Sequence, residues 1–330
     1  MKAFVPLLAT SVLALATAGA MAQETIRIAG NFATEHSSSL AMEVFKTEVE
    51  KLSDGAIEVN IFPAQQLGGA AENVQAVKIG AIEMMWVGTA YLTRTVPELE
   101  IIGLPFQFGS REQAFAVVDG PVGVALDEKL AAEGMTSMGY MELGFRQLTN
   151  NTHPIETVDD IAGLKIRLQP NETHLATFRA LGANPVAMDV KELYSALEQG
   201  VIDGQENPFA IINVAGYPEV QKYVSNTGHF FDFISVVANK DWFDGLDEGT
   251  RAVVGEAMDI AVAFQRELAA EQDAEALGKL TAAGMTYTEV SPELAEKLRE
   301  LTAPVAVETK ARLDVGLVEL LDSETAKQGL

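Results

Sequence analysis

The chain has 330 residues, room for about two domains at ~150 residues each, and its 48% hydrophobic and 21% charged content excludes wholesale disorder. Lys and Arg total 23 against 47 Asp and Glu, and the resulting net charge of −24 excludes nucleic acid and anionic lipid surfaces as partners. Cysteine is absent, which removes disulfides, thiol nucleophiles and Cys-ligated metal; the 4 histidines (His36, His153, His174, His229) contain no i, i+4 pair, so no metal or cofactor is expected.

Residues 1–22 have the form of a signal peptide: Lys2, an apolar stretch from Phe4 to Ala16, and Ala20-Met21-Ala22 before a cut ahead of Gln23. The apolar run is shorter than the ~20 residues of a membrane span, so an exported protein with no membrane span in its mature form is expected, placed in a bacterial periplasm.

Ile26 and Ile28 alternate with polar neighbours as a first strand. Ser37-Ser38-Ser39 offers an N-cap for a helix carrying Leu40, Val44, Phe45, Val49 and Leu52. Ile57, Val59 and Ile61 form a second strand ending at Pro63, a helix runs over 70–79 to Gly80, and a third strand passes through Ile82 and Met84. This alternation predicts a parallel α/β sheet, with ligands bound beyond the strands' carboxyl ends, where Asn31 to His36, Pro63 to Gln66 and Val87 to Tyr91 fall. No Gly-rich phosphate loop is present there.

A second α/β unit begins near 150. Leu164, Ile166 and Leu168 alternate with Lys165 and Arg167, which face the other way. Helices follow over 173–181, ending on Gly182, and over 190–198, ending at Gly200, and Val201 to Gly204 starts another strand. Strand charges such as Arg167 and Arg146 read, on spacing alone, either as solvated or as functional. Residues 248–283 are helical, with Val254, Ala257, Met258, Ala261, Phe264 and Leu268 on one stripe; one continuous helix extends about 54 Å at 1.5 Å per residue, and a break near Gly278 is the alternative. Leu294, Leu298, Leu301 and Val305 mark a further amphipathic helix. There is no Gly-x-Ser-x-Gly elbow or His-Glu-x-x-His helix, so no enzyme is expected; an exported hydrolase built on a carboxylate pair is the alternative of a different class.

Three stretches carry a family resemblance: Phe62 to Gly68 (FPAQQLG), Gly163 to Arg167 (GLKIR) and Asp203 to Pro208 (DGQENP), with Gly144-Phe145-Arg146 and Thr227-Gly228-His229 in support. Through them the chain resembles the extracytoplasmic solute receptors of TRAP transporters, the DctP family. The resemblance implies an α/β, two-lobed periplasmic-binding-protein-like fold, with a ligand cleft between lobes and one long helix spanning both. Lobe I is expected over 23–145 plus about 233–270, and lobe II over 146–232 plus about 271–330. It also implies that Arg167 clamps a ligand carboxylate, assisted by Arg146 and Asn207, and that a monomeric receptor delivers a small organic acid to the small and large membrane subunits. A planar guanidinium fork suits that bidentate role. Further cleft candidates are Asn31, Glu35, His36, Trp86, Thr89, Tyr91, Gln169, Asp189 and Phe209. In sialate-binding relatives the positions matching Tyr91 and Gly88 are arginine and glutamate, which argues against sialate here. Acidic Glu35 and Asp189 at the lip, and Trp86 or Phe209 as stacking faces, favour a uronate or aldonate over a C4-dicarboxylate.

Overall fold

The computed structural model describes residues 24–329, so the signal-peptide reading of residues 1–22 lies outside the described residues. The strands are β1 (Glu24–Gly30), β2 (Ile57–Phe62), β3 (Met84–Gly88), β4 (Met135–Phe145), β5 (Gln147–Asn150), β6 (Lys165–Leu168), β7 (Asn184–Ala187), β8 (Gly204–Asn207), β9 (Tyr223–Asn226), β10 (Phe231–Asn239) and β11 (Thr286–Glu289). They form two sheets, ordered β2-β1-β3-β10-β4 and β11-β9-β5-β8-β6-β7.

In the first sheet β1 runs parallel to β2 and β3, as the strand-helix-strand spacing predicts, while β10 enters antiparallel between β3 and β4. The third strand begins at Met84, and Ile82 lies in the bend before it. In the second sheet β6 is parallel to β7 and β8, and the strand expected from Val201 starts instead at Gly204. Two crossings join the sheets: Arg146 between β4 and β5, and residues 227–230 between β9 and β10.

Helices α1 (Ser37–Leu52), α2 (Ala70–Lys78), α3 (Arg111–Val118) and α4 (Pro121–Ala132) precede the first crossing. α5 (Glu172–Ala180), α6 (Val190–Glu198) and α7 (Phe209–Val214) accompany the second sheet, and α8 (Lys240–Gly245) follows the return. His36, not a serine, caps α1, its ring accepting from the Ser38 N–H at 3.2 Å. Leu40 faces outward, and Ala41, Met42, Phe45 and Val49 make the buried face.

α9 (Glu248–Ala282) is one continuous helix of 35 residues, packed on α1 and β4 of the first lobe and on α7 of the second. Its buried stripe shifts by one residue after Ala261: Phe264 is exposed and Leu268 half-buried, whereas Ala269 is buried and so is Gln265, which donates to Ser37 Oγ at 2.9 Å and to the Glu142 carbonyl at 2.8 Å. A buried amide is tolerated there because partners receive it. α10 (Pro292–Lys310) carries the expected apolar face. α11 (Val315–Lys327) departs from the lobe II expectation for the tail: Leu317 and Leu321 pack with Leu126 and Leu130 of α4, because that apolar face needs cover.

Candidate functional site

The lobes meet where β3 and β6 end. Arg167, in β6, is only 1% exposed, so neither a solvated strand charge nor a wet polar face describes it. Its Nε donates to the Met188 carbonyl at 2.9 Å, and its Nη2 donates across the cleft to the Tyr91 hydroxyl at 2.8 Å. Tyr91 Oη also accepts from the Val190 N–H at 3.0 Å, which leaves the phenolic proton as an outward donor. Arg167 Nη1 takes part in none of the hydrogen bonds among the described residues, and no carboxylate there lies within ion-pair distance of this guanidinium. Burial pushes the Tyr91 phenol up, with Arg167 opposing.

Arg146 is also fully buried, yet its surroundings differ. Nε and Nη2 grip the Glu206 carboxylate, Nη2 at 2.8 Å; Nη2 further reaches Asn207 Oδ1 at 3.1 Å, and Nη1 reaches Asp232 at 3.3 Å. His229 Nε2 stands 3.2 Å from Glu206. Burial acts to raise the Glu206 carboxyl, but the Arg146 charge and hydrogen bonds overcome it and hold the group at about 2. Burial wins at the more distant Asp232, pushed up to about 6, and it lowers His229 despite Glu206. Because Arg146 stands in one crossing and Asp232 opens the strand after the other, this network braces the two segments that join the lobes. Arg146, expected to assist the clamp, makes its hydrogen bonds here to the Glu206 carboxylate and carbonyl, Asn207 Oδ1 and Asp232. Asn207 is likewise held, donating to Gln205 Oε1 at 2.5 Å.

The remaining candidates divide. Asn31 and His36 line a cavity of about 410 Å³ with Gln65 from the first lobe and Val190, Tyr194 and Tyr217 from the second. Tyr217, which the sequence reading missed, feels Arg167, Tyr91 and Arg146, burial pushing its phenol up. His36 stacks on Phe32 at 4.8 Å, and burial lowers its pKa to about 4. Both side-chain polar atoms of Asn31, the Trp86 Nε1 and the Gln169 Oε1 are buried with no hydrogen-bond partner. Such atoms are rare in a folded protein and point to an external partner. Trp86 does not present a stacking face, for its ring packs edge-on to Phe45 in the core.

Four candidates are engaged in other contacts. Glu35 is exposed, and its carbonyl accepts from Gln272 at 2.9 Å beside a different cavity. Thr89 is committed to the Phe233 carbonyl and Ser235. Asp189 caps α6, accepting from the Lys191 N–H at 3.0 Å, and reaches the Ala71 N–H of α2 at 3.4 Å across the lobes. Phe209 is buried in the core beside Tyr287. Among the described residues no group of three or more acidic or His side chains is placed to hold a metal ion, and no helix is long and apolar enough to cross a membrane.

Two α/β lobes, joined by paired crossings and closed over a guanidinium without a carboxylate partner, define a solute-binding receptor. The chain belongs to the bacterial extracellular solute-binding protein family 7, whose profile matches residues 28–312. It is similar to the sugar acid binding protein DctPAm of Advenella mimigardefordensis, solved in complex with galactonate, at 35% identity and a TM-score of 0.89, covering 92% of this chain and 98% of that one. The 2,3-diketo-L-gulonate-binding periplasmic protein YiaO of Escherichia coli is 32% identical, over 83% of this chain and 83% of its own length. The C4-dicarboxylate-binding periplasmic protein DctP of Rhodobacter capsulatus is 32% identical, over 86% of this chain and 85% of its own.

Proposed function

We propose that this chain is the periplasmic receptor of a TRAP transporter, binding a hydroxylated organic acid of the uronate or aldonate class and presenting it, unchanged, to the transporter's membrane subunits. The buried Arg167 carries the reading. A guanidinium 1% exposed, with hydrogen bonds to neutral oxygens and no carboxylate beside it, lacks the counter-charge that burial normally demands. A ligand carboxylate supplies that charge at Nη1, and the Tyr91 hydroxyl proton lies beside it as a second donor. Arg146, held on Glu206, Asn207 and Asp232, also braces the crossings beside this site.

Binding then favours closure, because the ligand gains the Tyr91–Arg167 frame only when the lobes are together; it shifts the equilibrium by its differential affinity for the two forms and no more. Closure brings Asp189 to α2 and so changes the outer surface that membrane subunits meet. The galactonate-bound and diketogulonate-binding relatives support a sugar acid. The C4-dicarboxylate-binding relative supports the second reading, against which stand the unpartnered acceptors Asn31 Oδ1 and Gln169 Oε1: a plain dicarboxylate such as succinate brings them no donor, and a polyhydroxy acid brings several. A thermal screen of aldonates, uronates, succinate and malate tests this. A ligand at ~100 times Kd adds about 2.7 kcal/mol to stability. Stabilisation by succinate or malate with no response to any sugar acid overturns the preference.

A further inference from the structure

Gln169 follows β6 directly, two residues beyond Arg167, ~6.6 Å along the chain at 3.3 Å per residue. Its side chain is 4% exposed and its Oε1 has no hydrogen-bond partner. The other end of the amide rests on the first lobe. A Cβ added at Gly88 of β3 would stand 2.9 Å from Gln169 Nε2, and its other neighbours, in Tyr91 and Leu143, would be at ordinary contact distances of 3.8 and 3.9 Å. Gly88 has φ −55° and ψ 128°, a backbone conformation open to any residue. The space left by the missing Cβ at Gly88 is therefore the seat of this one amide, and a side chain there would displace the Gln169 amide rather than the backbone.

Trp86, two residues before Gly88 in β3, adds an unpartnered donor, its buried indole N–H. The second lobe thus offers a buried acceptor and the first a buried donor, both without a protein partner. A hydroxyl both donates and accepts, whereas a carboxylate only accepts.

We propose that Gln169, seated by Gly88, is a specificity-determining residue that accepts a hydrogen bond from a ligand hydroxyl several carbons from the carboxylate held by Arg167, and so selects polyhydroxy acids over plain carboxylates. The inference rests on the sugar-acid reading above and names the residue that enforces it. Selection works through the unsatisfied group: a ligand without the hydroxyl buries Oε1 unpaired, whereas the correct ligand satisfies it.

The test uses calorimetry on the full mature chain with a panel of six-carbon aldonates and hexuronates, with hexanoate as the monocarboxylate of equal length without hydroxyls, and with succinate. In Gln169→Leu the best hydroxylated acid weakens by roughly 5- to 150-fold, while hexanoate keeps its wild-type affinity. Gly88→Ala retains the glutamine but unseats it, and gives the same selective loss. The melting temperature without ligand stays at the wild-type value in both. An unchanged affinity for the hydroxylated acid, or an equal loss for every ligand, overturns the assignment while leaving the sugar-acid reading intact. A wild-type protein that binds hexanoate or succinate more tightly than every hydroxylated acid overturns that reading, and this inference with it.

Discussion

Replacing Arg146 and Arg167 separately by methionine turns one contrast in the structure into opposite outcomes. Methionine approximates the length of arginine and removes the charge and the donors. At Arg146 the substitution strands Glu206 and Asp232, both buried, without the guanidinium that contacts them at 2.8 and 3.3 Å. Breaking a buried pair in this way costs about 3–5 kcal/mol, because the remaining charge is uncompensated. At an unfolding entropy of about 2.1 cal/mol/K per residue over ~300 residues, each kcal/mol shifts melting by ~1.5 °C, so the ligand-free protein melts roughly 5–8 °C lower. At Arg167 no carboxylate is stranded; the loss is two hydrogen bonds, to the Met188 carbonyl and Tyr91, set against relief from burying an unpaired charge. Ligand-free stability therefore stays within about 1 kcal/mol of wild type, or rises. Binding responds in the opposite order. Arg167→Met loses about 2–5 kcal/mol of affinity, roughly 30- to 3000-fold, and Arg167→Lys loses less because the charge survives without the planar fork. Calorimetry for affinity and differential scanning for stability read the two axes. The reasoning fails if Arg167→Met destabilises the ligand-free protein as much as Arg146→Met, or if it binds ligand normally.

Three further outcomes are expected. Burial lowers His36 to about 4 and His174 to about 3 from 6.5, so the folded state binds fewer protons than the unfolded state below pH 6.5, and stability present above that pH is lost as the pH drops through the window. His174, stacked on Phe230 at 4.0 Å with both ring nitrogens unpartnered, contributes most directly; His174→Phe flattens the melting-temperature profile between pH 6.5 and 4, and a profile as steep as wild type contradicts the assignment. Asp189→Ala removes the α6 cap and the bridge to Ala71, costing about 1 kcal/mol and shifting the ligand-free protein toward open forms, read as a larger radius of gyration in X-ray scattering; no change in radius rules out the latch. Incubation with the best-binding acid returns it unaltered by mass spectrometry, and recovery of a new product defeats the receptor reading in favour of an enzyme.

The buried polar groups separate what alternation can say from what it cannot. Ile26, Ile28, Val59 and Ile166 each repeat with period two inside a strand, and all are buried, because alternation puts such apolar residues together on the face that packs. The helical pattern over 248–282 is equally local, but Gly278 left its continuity open, and the single 35-residue helix is seen packed on α1, β4 and α7. Arg167 was singled out by its GLKIR setting, yet spacing left it between a solvated charge and a clamp; its burial comes from Tyr91, 76 residues away in the chain.

By itself, the sequence determined the two α/β units, the helical pattern over 248–282, the family and the short list that includes Arg167, Tyr91, Asn31 and Gln169, because periodicity, caps and motifs act over a few residues at a time. Only the tertiary structure decided which arginine is free. Arg146 and Arg167 look alike as strand charges, but β8 and β10 bring Glu206 and Asp232 to the first, while the second meets only a carbonyl and a phenol. The same holds for Glu35 and Phe209, directed away from the cleft, and for α11, returned to the first lobe. A charge is defined by what folding places within a few ångströms of it, and those neighbours come from distant parts of the chain.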